Sequence, residues 1–379
     1  MNWFKLTLLL SKGNKTEFDI PVQVQKTYLD RLGIAGNDVE RSFKQYLCQN
    51  FFVPKWKVII QNGVSFCLFF PCLLYLFTRR FFAHKEDETD AISEFKGIEE
   101  TLPEELCERY NVNHDKWSYR QSLSLRDLWM SVSLFFHYLG NPYFTLKCIQ
   151  KIAIYSDMIY RYSPNVILVH NEYSFTSSIL TFYCKKYGVK HINAMHGDKY
   201  FFIRDAFFHY DECYVWDQFY VDLFISLKAE PSQFQILVPP SLKINIKNNL
   251  DERYYSDYKY YLDLYTEDEI RGIVQSMEFA KRSGKTIKYR PHPRYSNMDL
   301  LKKYVNAEEI ESPKDVNILV SISNMEFAIG SCSTVLLQAF FSGKKVVLDD
   351  VTYKEQYNKL SELGYILSKK NLPVLSDYQ

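Results

Sequence analysis

The sequence lacks the short signatures of several large enzyme classes. No GxGxxG run appears in its 379 residues, which removes the usual dinucleotide-binding fingerprint. Neither a Walker A sequence nor a GxSxG elbow is present, so a P-loop and an elbow-mounted serine nucleophile have no support. DxD is missing too, and no cluster of side chains demands a metal. The cysteines at 48, 67, 72, 107, 148, 184, 213 and 332 form no CxxC pair and no zinc-spaced cluster with histidine. They read as buried thiols of a reducing cytoplasm. Excess charge is also absent: 46 Lys and Arg face 45 Asp and Glu, a net charge of +1. That balance excludes the basic footprint of a dedicated nucleic-acid binder, so any anion site must be local. The N-terminal stretch "MNWFKLTLLLSKGNK" has too short an apolar run for a secretory signal and reads as a first β-strand.

Aromatic residues, by contrast, are abundant, with 30 Tyr and 28 Phe. So many cannot all contact a ligand, and most must pack cores or interfaces. One long apolar run stands out, "VSFCLFFPCLLYLFTRRFF", residues 64–82. A spanning helix needs about 20 apolar residues, and this run is shorter and carries Pro71 in its middle. It reads as a buried core element, with an interfacial patch anchored by Arg79 and Arg80 as the main alternative and a membrane span as a third. Residues 85–117 are acidic and polar and read as a solvated connection holding a short helix.

From about residue 120 the pattern becomes regular. "LSLRDLWMSVSLFFHYLG" and "PYFTLKCIQKIAIYSDMIYRYS" have helical apolar spacing, and "NVILVH" follows as a buried parallel strand. Helix and strand then alternate through "SFTSSILTFYCKKYG", "VKHINAMHG", "ECYVW" and "DQFYVDLFISLKA". The second half repeats the alternation: a strand at "QFQILVPP", a helix with Thr266 as N-cap, then "TIKYR", "MEFAIG", "STVLLQAFFSG" and "KKVVLDD". Such alternation predicts an α/β chain of two doubly wound, Rossmann-like domains facing across a cleft. The join falls near Pro239 and Pro240, giving domains 1–238, of which residues 1–120 are atypical, and 239–379.

Ligands of open parallel sheets bind beyond the carboxyl ends of the strands, and three unusual clusters fall there. In "YRPHPR", prolines hold His292 rigidly between Arg290 and Arg294, an arrangement suited to phosphate or carboxylate. About 40 residues later, "IGSCSTVLLQA" sets Ser331, Ser333 and Thr334 at a strand-to-helix turn, where free amides and the helix dipole favour anions. Ordinary helix capping would also explain those hydroxyls. The third cluster, "NAMHGDKYF", offers His196 and Asp198 around Gly197 as candidate general bases. Asn171 and Glu172, after "VILVH", sit at the same strand-end level and are candidate acceptor contacts.

With these residues in view, the chain resembles bacterial GT-B glycosyltransferases. More narrowly, "RPHPR" and "SCST" are similar to the His-Pro and Ser/Thr motifs of the sialyltransferase and polysialyltransferase group that builds lipopolysaccharide and capsule. The resemblance implies a donor such as CMP-sialic acid, a glycan or glycolipid acceptor, and inverting transfer without a metal or other cofactor. His292 would then stabilise the departing nucleotide, with Ser333 and Thr334 on the same phosphate. A cytoplasmic enzyme, with contact at the inner face of the membrane, is the implied setting. The family's acidic-acidic-glycine turn reads His-Gly-Asp here, so the base stays open between Asp198 and His196. A UDP- or GDP-sugar, a CDP-polyol, or a non-catalytic assembly role are the competing expectations.

Overall fold

The computed structural model describes residues 14–95, 97 and 101–378; the strand expected at the N-terminus lies outside them. By contact density the chain divides into two compact units. The first runs to His196 and resumes over Phe201–Leu237, and the second takes Gly197–Tyr200 together with the chain from Val238 onward.

The first unit is built on a parallel sheet of β1 (Ala91–Ser93), β2 (Val112–Asn113), β3 (Val166–Val169), β4 (Lys190–Ala194), β5 (Glu212–Val215) and β6 (Phe234–Ile236). Its strand order is β2-β1-β3-β4-β5-β6. All four residues of β3, "VILV", are buried, as expected for a strand covered on both faces. The chain steps from β1 to β2 on one side and then crosses back to β3 on the other. Right-handed crossovers place the two sets of connections on opposite faces, leaving a crevice at the carboxyl ends of β1 and β3.

In the second unit the strands are β7 (Ser256–Tyr261), β8 (Ile287–Arg290), β9 (Met325–Gly330) and β10 (Lys345–Leu348), again all parallel. Their order, β10-β9-β7-β8, puts the reversal between β7 and β9. Tyr260, Ile273, Tyr289, Ile329 and Val347 form its core. Both units are therefore doubly wound α/β structures.

Two expectations from the sequence need correction. Residues 85–117 hold the expected short helix, Glu104–Arg109, but they also supply β1 and β2. Three buried residues, Ala91, Ile92 and Ser93, suffice for β1 because its neighbours cover it. The apolar run is no buried core element. It belongs to a surface helix, Lys55–Arg80, that continues through Pro71 and buries one face through Ser65, Phe69, Leu73 and Leu76. By length and composition this helix could cross a membrane.

One buried polar group inside the first unit is tied to partners on both sides. On β4, His191 is 1 % exposed, with Nε2 3.0 Å from the Tyr155 hydroxyl and Nδ1 2.8 Å from Thr181 Oγ1. Burial first, and His209 second, push its pKa down to about 3. The unfolded chain therefore binds a proton that the folded chain refuses over the interval from about 6.5 to 3. Stability from this group is complete above pH 6.5 and is lost as the pH falls, by about 1.4 kcal/mol per pH unit at most. Urea unfolding between pH 7 and pH 5 should show that slope, and His191→Gln should flatten it even though the variant is less stable at pH 7. An unchanged slope in the variant would assign acid sensitivity to other groups.

Candidate functional site

The carboxyl edge of the second sheet carries the His-Pro turn. Pro291 follows β8 without an N–H to offer, and the next amide, of His292, donates to Ser296 Oγ at 2.8 Å. That same hydroxyl donates to the Asp263 carbonyl at 2.8 Å, tying the turn to the end of β7. The imidazole is held as well. Its Nδ1 accepts from the Arg294 amide at 3.1 Å, and its ring stacks on Tyr295 with centroids 4.4 Å apart. An accepting Nδ1 places the proton of the neutral ring on Nε2, which becomes a hydrogen-bond donor.

Arg290 and Arg294 have separate fates. Arg294 is exposed. Arg290, expected to bind a ligand, is 6 % exposed and turns inward. It donates from Nη1 to Glu311 Oε1 at 2.7 Å and from Nη2 to the Val316 carbonyl at 2.8 Å. Glu311 also accepts from Lys259 Nζ at 2.5 Å and from the Ser321 hydroxyl. Burial alone would raise the Glu311 carboxyl, but Lys259, Ser321 and Arg290 hold it below its usual value. Arg290 is thus a tie beneath the turn; its position at the last residue of a buried strand gave a signal for this.

Beyond β9, Ser333 Oγ accepts weakly from the Leu336 amide at 3.4 Å and caps the helix Thr334–Phe341. This is the ordinary capping role, and it leaves Thr334 exposed and Ser331 half-buried at the helix start. The first amides of that helix have no intrahelical partner, as at any helix N-terminus. A Cβ on Gly330 would lie 3.2 Å from the Tyr261 carbonyl oxygen, so glycine permits the close approach of β9 to β7 here. Since β7 lies between β8 and β9, the His292 turn and the Ser331–Thr334 turn rise from one edge, roughly 10 Å apart at their strand ends. Cys332 sits between the serines. Burial, and next the Asp198 carboxylate, push its thiol up to about 11, which excludes it as a thiolate nucleophile near neutrality.

Asp198 was expected with the first unit's strand ends. Its segment, Gly197–Tyr200, has its contacts in the second unit, and its charge is felt at Cys332 and Tyr365. Gly197 adopts φ +71°, a left-handed conformation that glycine takes without a Cβ penalty.

The first unit's edge gathers a different set. Asn171 Nδ2 donates to Glu94 Oε2 at 2.7 Å across the β1/β3 reversal. His170 packs edge-on to Phe95, centroids 4.6 Å apart, and lies 5.0 Å from the exposed ring of His196. Nδ1 of His170 is buried and has no hydrogen-bond partner among the described residues, an arrangement that costs free energy. Glu172 corrects an expectation: it is fully buried, accepts from Asn193 Nδ2 at 2.9 Å, and supports the loop rather than facing outward. Glu94 and His170 were not singled out from the sequence. His170 closes the run "NVILVH", so its strand-end position was available; Glu94 was hidden in the acidic stretch. Among the described residues, no group of His, Cys, Asp and Glu has a metal-holding arrangement.

No protein-family model matches the chain, and no curated protein matches it. Solved structures do. A glycotransferase of kitacinnamycin is similar over 73% of this chain and 85% of its own, at 9% identity and a TM-score of 0.41. The UDP-GlcNAc 2-epimerase of Methanocaldococcus jannaschii is similar over 74% and 88%, at 12% identity and a TM-score of 0.40. The wall teichoic acid polymerase TagF is similar over 59% of this chain and 62% of its own, at 11% identity and a TM-score of 0.35.

Proposed function

We propose that the chain is a GT-B-type glycosyltransferase of surface-polysaccharide synthesis that takes its sugar from a nucleotide donor, CMP-sialic acid being the donor favoured. The observation that carries this reading is the second sheet's edge, where a backbone-held His292 presents Nε2–H beside a hydroxyl-lined helix start at the β7/β9 reversal. One imidazole donor and the helix-start amides suit a single phosphate. A monophosphate leaving group needs no metal to neutralise it there. The RPHPR and SCST motifs favour the cytidine donor over the others.

In the proposed reaction an acceptor hydroxyl oxygen attacks the anomeric carbon while the bond from that carbon to the phosphate oxygen breaks. The electron pair leaves with CMP, where His292 Nε2–H, Thr334 and Ser331 receive the developing charge. The hydroxyl proton passes to Asp198 or His196. Arg294 offers its guanidinium to the sialic acid carboxylate. His170 and Asn171, at the carboxyl edge of the first sheet, serve the acceptor glycan.

Calorimetry with CMP, UDP and GDP, followed by product analysis with each activated donor, tests the reading. CMP should bind tightest, CMP-sialic acid should be consumed, and EDTA should leave the rate unchanged. Turnover of a UDP-sugar alone would replace the donor, and the absence of all nucleotide binding would favour an assembly subunit that retains the fold without the activity.

A further inference from the structure

The helix Lys55–Arg80 presents an outward face that water does not suit. Trp56, Ile59, Val64, Phe66, Phe70 and Leu74 on it are between 46 and 71 % exposed. The face continues onto Phe81 and Phe82, 72 and 71 % exposed. From Trp56 to Thr78 it carries no exposed charge, a distance of about 33 Å along a helix. A second helix, Leu125–His137, adjoins it. Phe66 and Phe70 meet the buried ring of Phe135, with centroids 5.8 and 5.4 Å apart. Beside Phe135, the second helix adds Phe136 and Trp129, 62 and 75 % exposed. Scattered exposed apolar residues are normal on a protein surface; one continuous apolar face of this length is not.

Charge says what covers it. Between residues 51 and 85 every ionised side chain is basic: Lys55, Lys57, Arg79, Arg80 and Lys85, with His84 among them and no Asp or Glu. Lys55 and Arg79 are exposed at the two ends of the apolar face. The first carboxylate beyond, Glu86, is held by Arg161 and Arg120. An apolar plane bounded by cations and edged with Trp56 and Trp129 is complementary to an anionic lipid surface.

The helix is long enough to cross a bilayer, but its inner face is tied to the folded unit along its length. Asn62 Oδ1 accepts from the Tyr143 amide at 3.1 Å near one end. At the other, Arg80 donates to the Ser156 carbonyl at 3.1 Å and lies 3.7 Å above the Tyr160 ring. Crossing would break these ties or drag polar groups of the helix Pro142–Tyr162, Lys147 among them, into hydrocarbon. A helix lying in the plane of the interface keeps all of them.

We propose that this two-helix face docks the protein on an anionic membrane surface, with Phe66, Phe70, Leu74 and Trp129 in the acyl boundary and Lys55 and Arg79 at the headgroups. This docking is independent of which donor the enzyme uses. It would deliver a lipid-borne acceptor to the first unit.

Sedimentation of the full chain with vesicles tests it. The protein should pellet with vesicles containing phosphatidylglycerol and much less with phosphatidylcholine alone, and added salt should weaken the difference. Phe66→Glu with Phe70→Glu and Leu74→Glu should lower vesicle affinity at least about tenfold. Arg79→Gln should reduce only the phosphatidylglycerol-dependent part. All substituted side chains are at the surface, and an unchanged thermal midpoint confirms that each variant is folded. Wild-type protein left in the supernatant would overturn the proposal, as would vesicle binding unaffected by the triple variant. A dimer seen by light scattering that the triple variant converts to monomer, without vesicle binding, would assign the face to a second copy instead.

Discussion

His292→Ala should lower kcat for sugar transfer by about 10²–10³-fold, with little change in the KM for donor and a global stability within about 0.5 kcal/mol of wild type. The reasoning starts from where the ring's hydrogen bonds go. Nδ1 is engaged by the Arg294 amide, so Nε2–H is the donor that the ring has left to offer. A donor aimed at the departing phosphate gains strength as negative charge accumulates there, so its removal acts on the transition state more than on the bound ground state. The side chain is only half-buried, and its stacking on Tyr295 is at the surface, which keeps the cost to folding small. His292→Gln, which retains an N–H at similar reach, should recover part of the loss. Product formation measured under saturating donor would decide the matter: turnover near the wild-type rate in the Ala variant would remove His292 from the chemistry.

The second large effect is on stability. Glu311→Leu should destabilise the second unit by about 3–5 kcal/mol, because it strands Lys259 and Arg290, both buried, without their shared carboxylate. Lys259 is 0 % exposed, and burial already pushes its ammonium pKa down against the pull of Glu311. The loss should be local. Hydrogen exchange ought to show faster opening of β7 and β8, while the first unit keeps its protection. Activity should fall with it, since Arg290 is the residue that delivers the chain to Pro291 and His292. Combining Glu311→Leu with Lys259→Met and Arg290→Met should restore much of the stability, as an apolar replacement of a buried ion cluster often does. A loss below about 1 kcal/mol in the single variant would mean that water reaches and solvates the two cations.

Aliphatic strands were readable directly: "NVILVH", "MEFAIG" and "KKVVLDD" correspond to β3, β9 and β10. The strands that face β3 and β9 at the two reversals, β1 and β7, were not. β1 is three residues long inside an acidic stretch, and β7 reads "SDYKYY", where tyrosines and a lysine stand in for aliphatics. In β7 the polarity is absorbed internally. Lys259 is paired with Glu311, and the Tyr260 hydroxyl donates to Asp349 Oδ2 at 2.5 Å. Partners so far apart in sequence leave no local pattern. The same limit explains the site. His292 and the Ser331–Thr334 turn announced themselves through proline and serine spacing. Glu172 carries no mark in the sequence of facing inward, and Arg290 only that of closing a buried strand; the partners that hold them, Asn193 and Glu311, are far away in the chain.

The narrow gap at Gly330 has a bearing on how this site could change its donor. A Cβ there would lie 3.2 Å from the Tyr261 carbonyl oxygen, so position 330 has little room in which to vary. Arg290 is bound by its buried ties and Ser333 by its cap. Arg294 and Thr334, both open to solvent on the same edge, bear no such duty. With Thr334 engaged on the phosphate, a library aimed at new donor preference would therefore find its tolerated diversity at 294, on a frame that has to stay as it is.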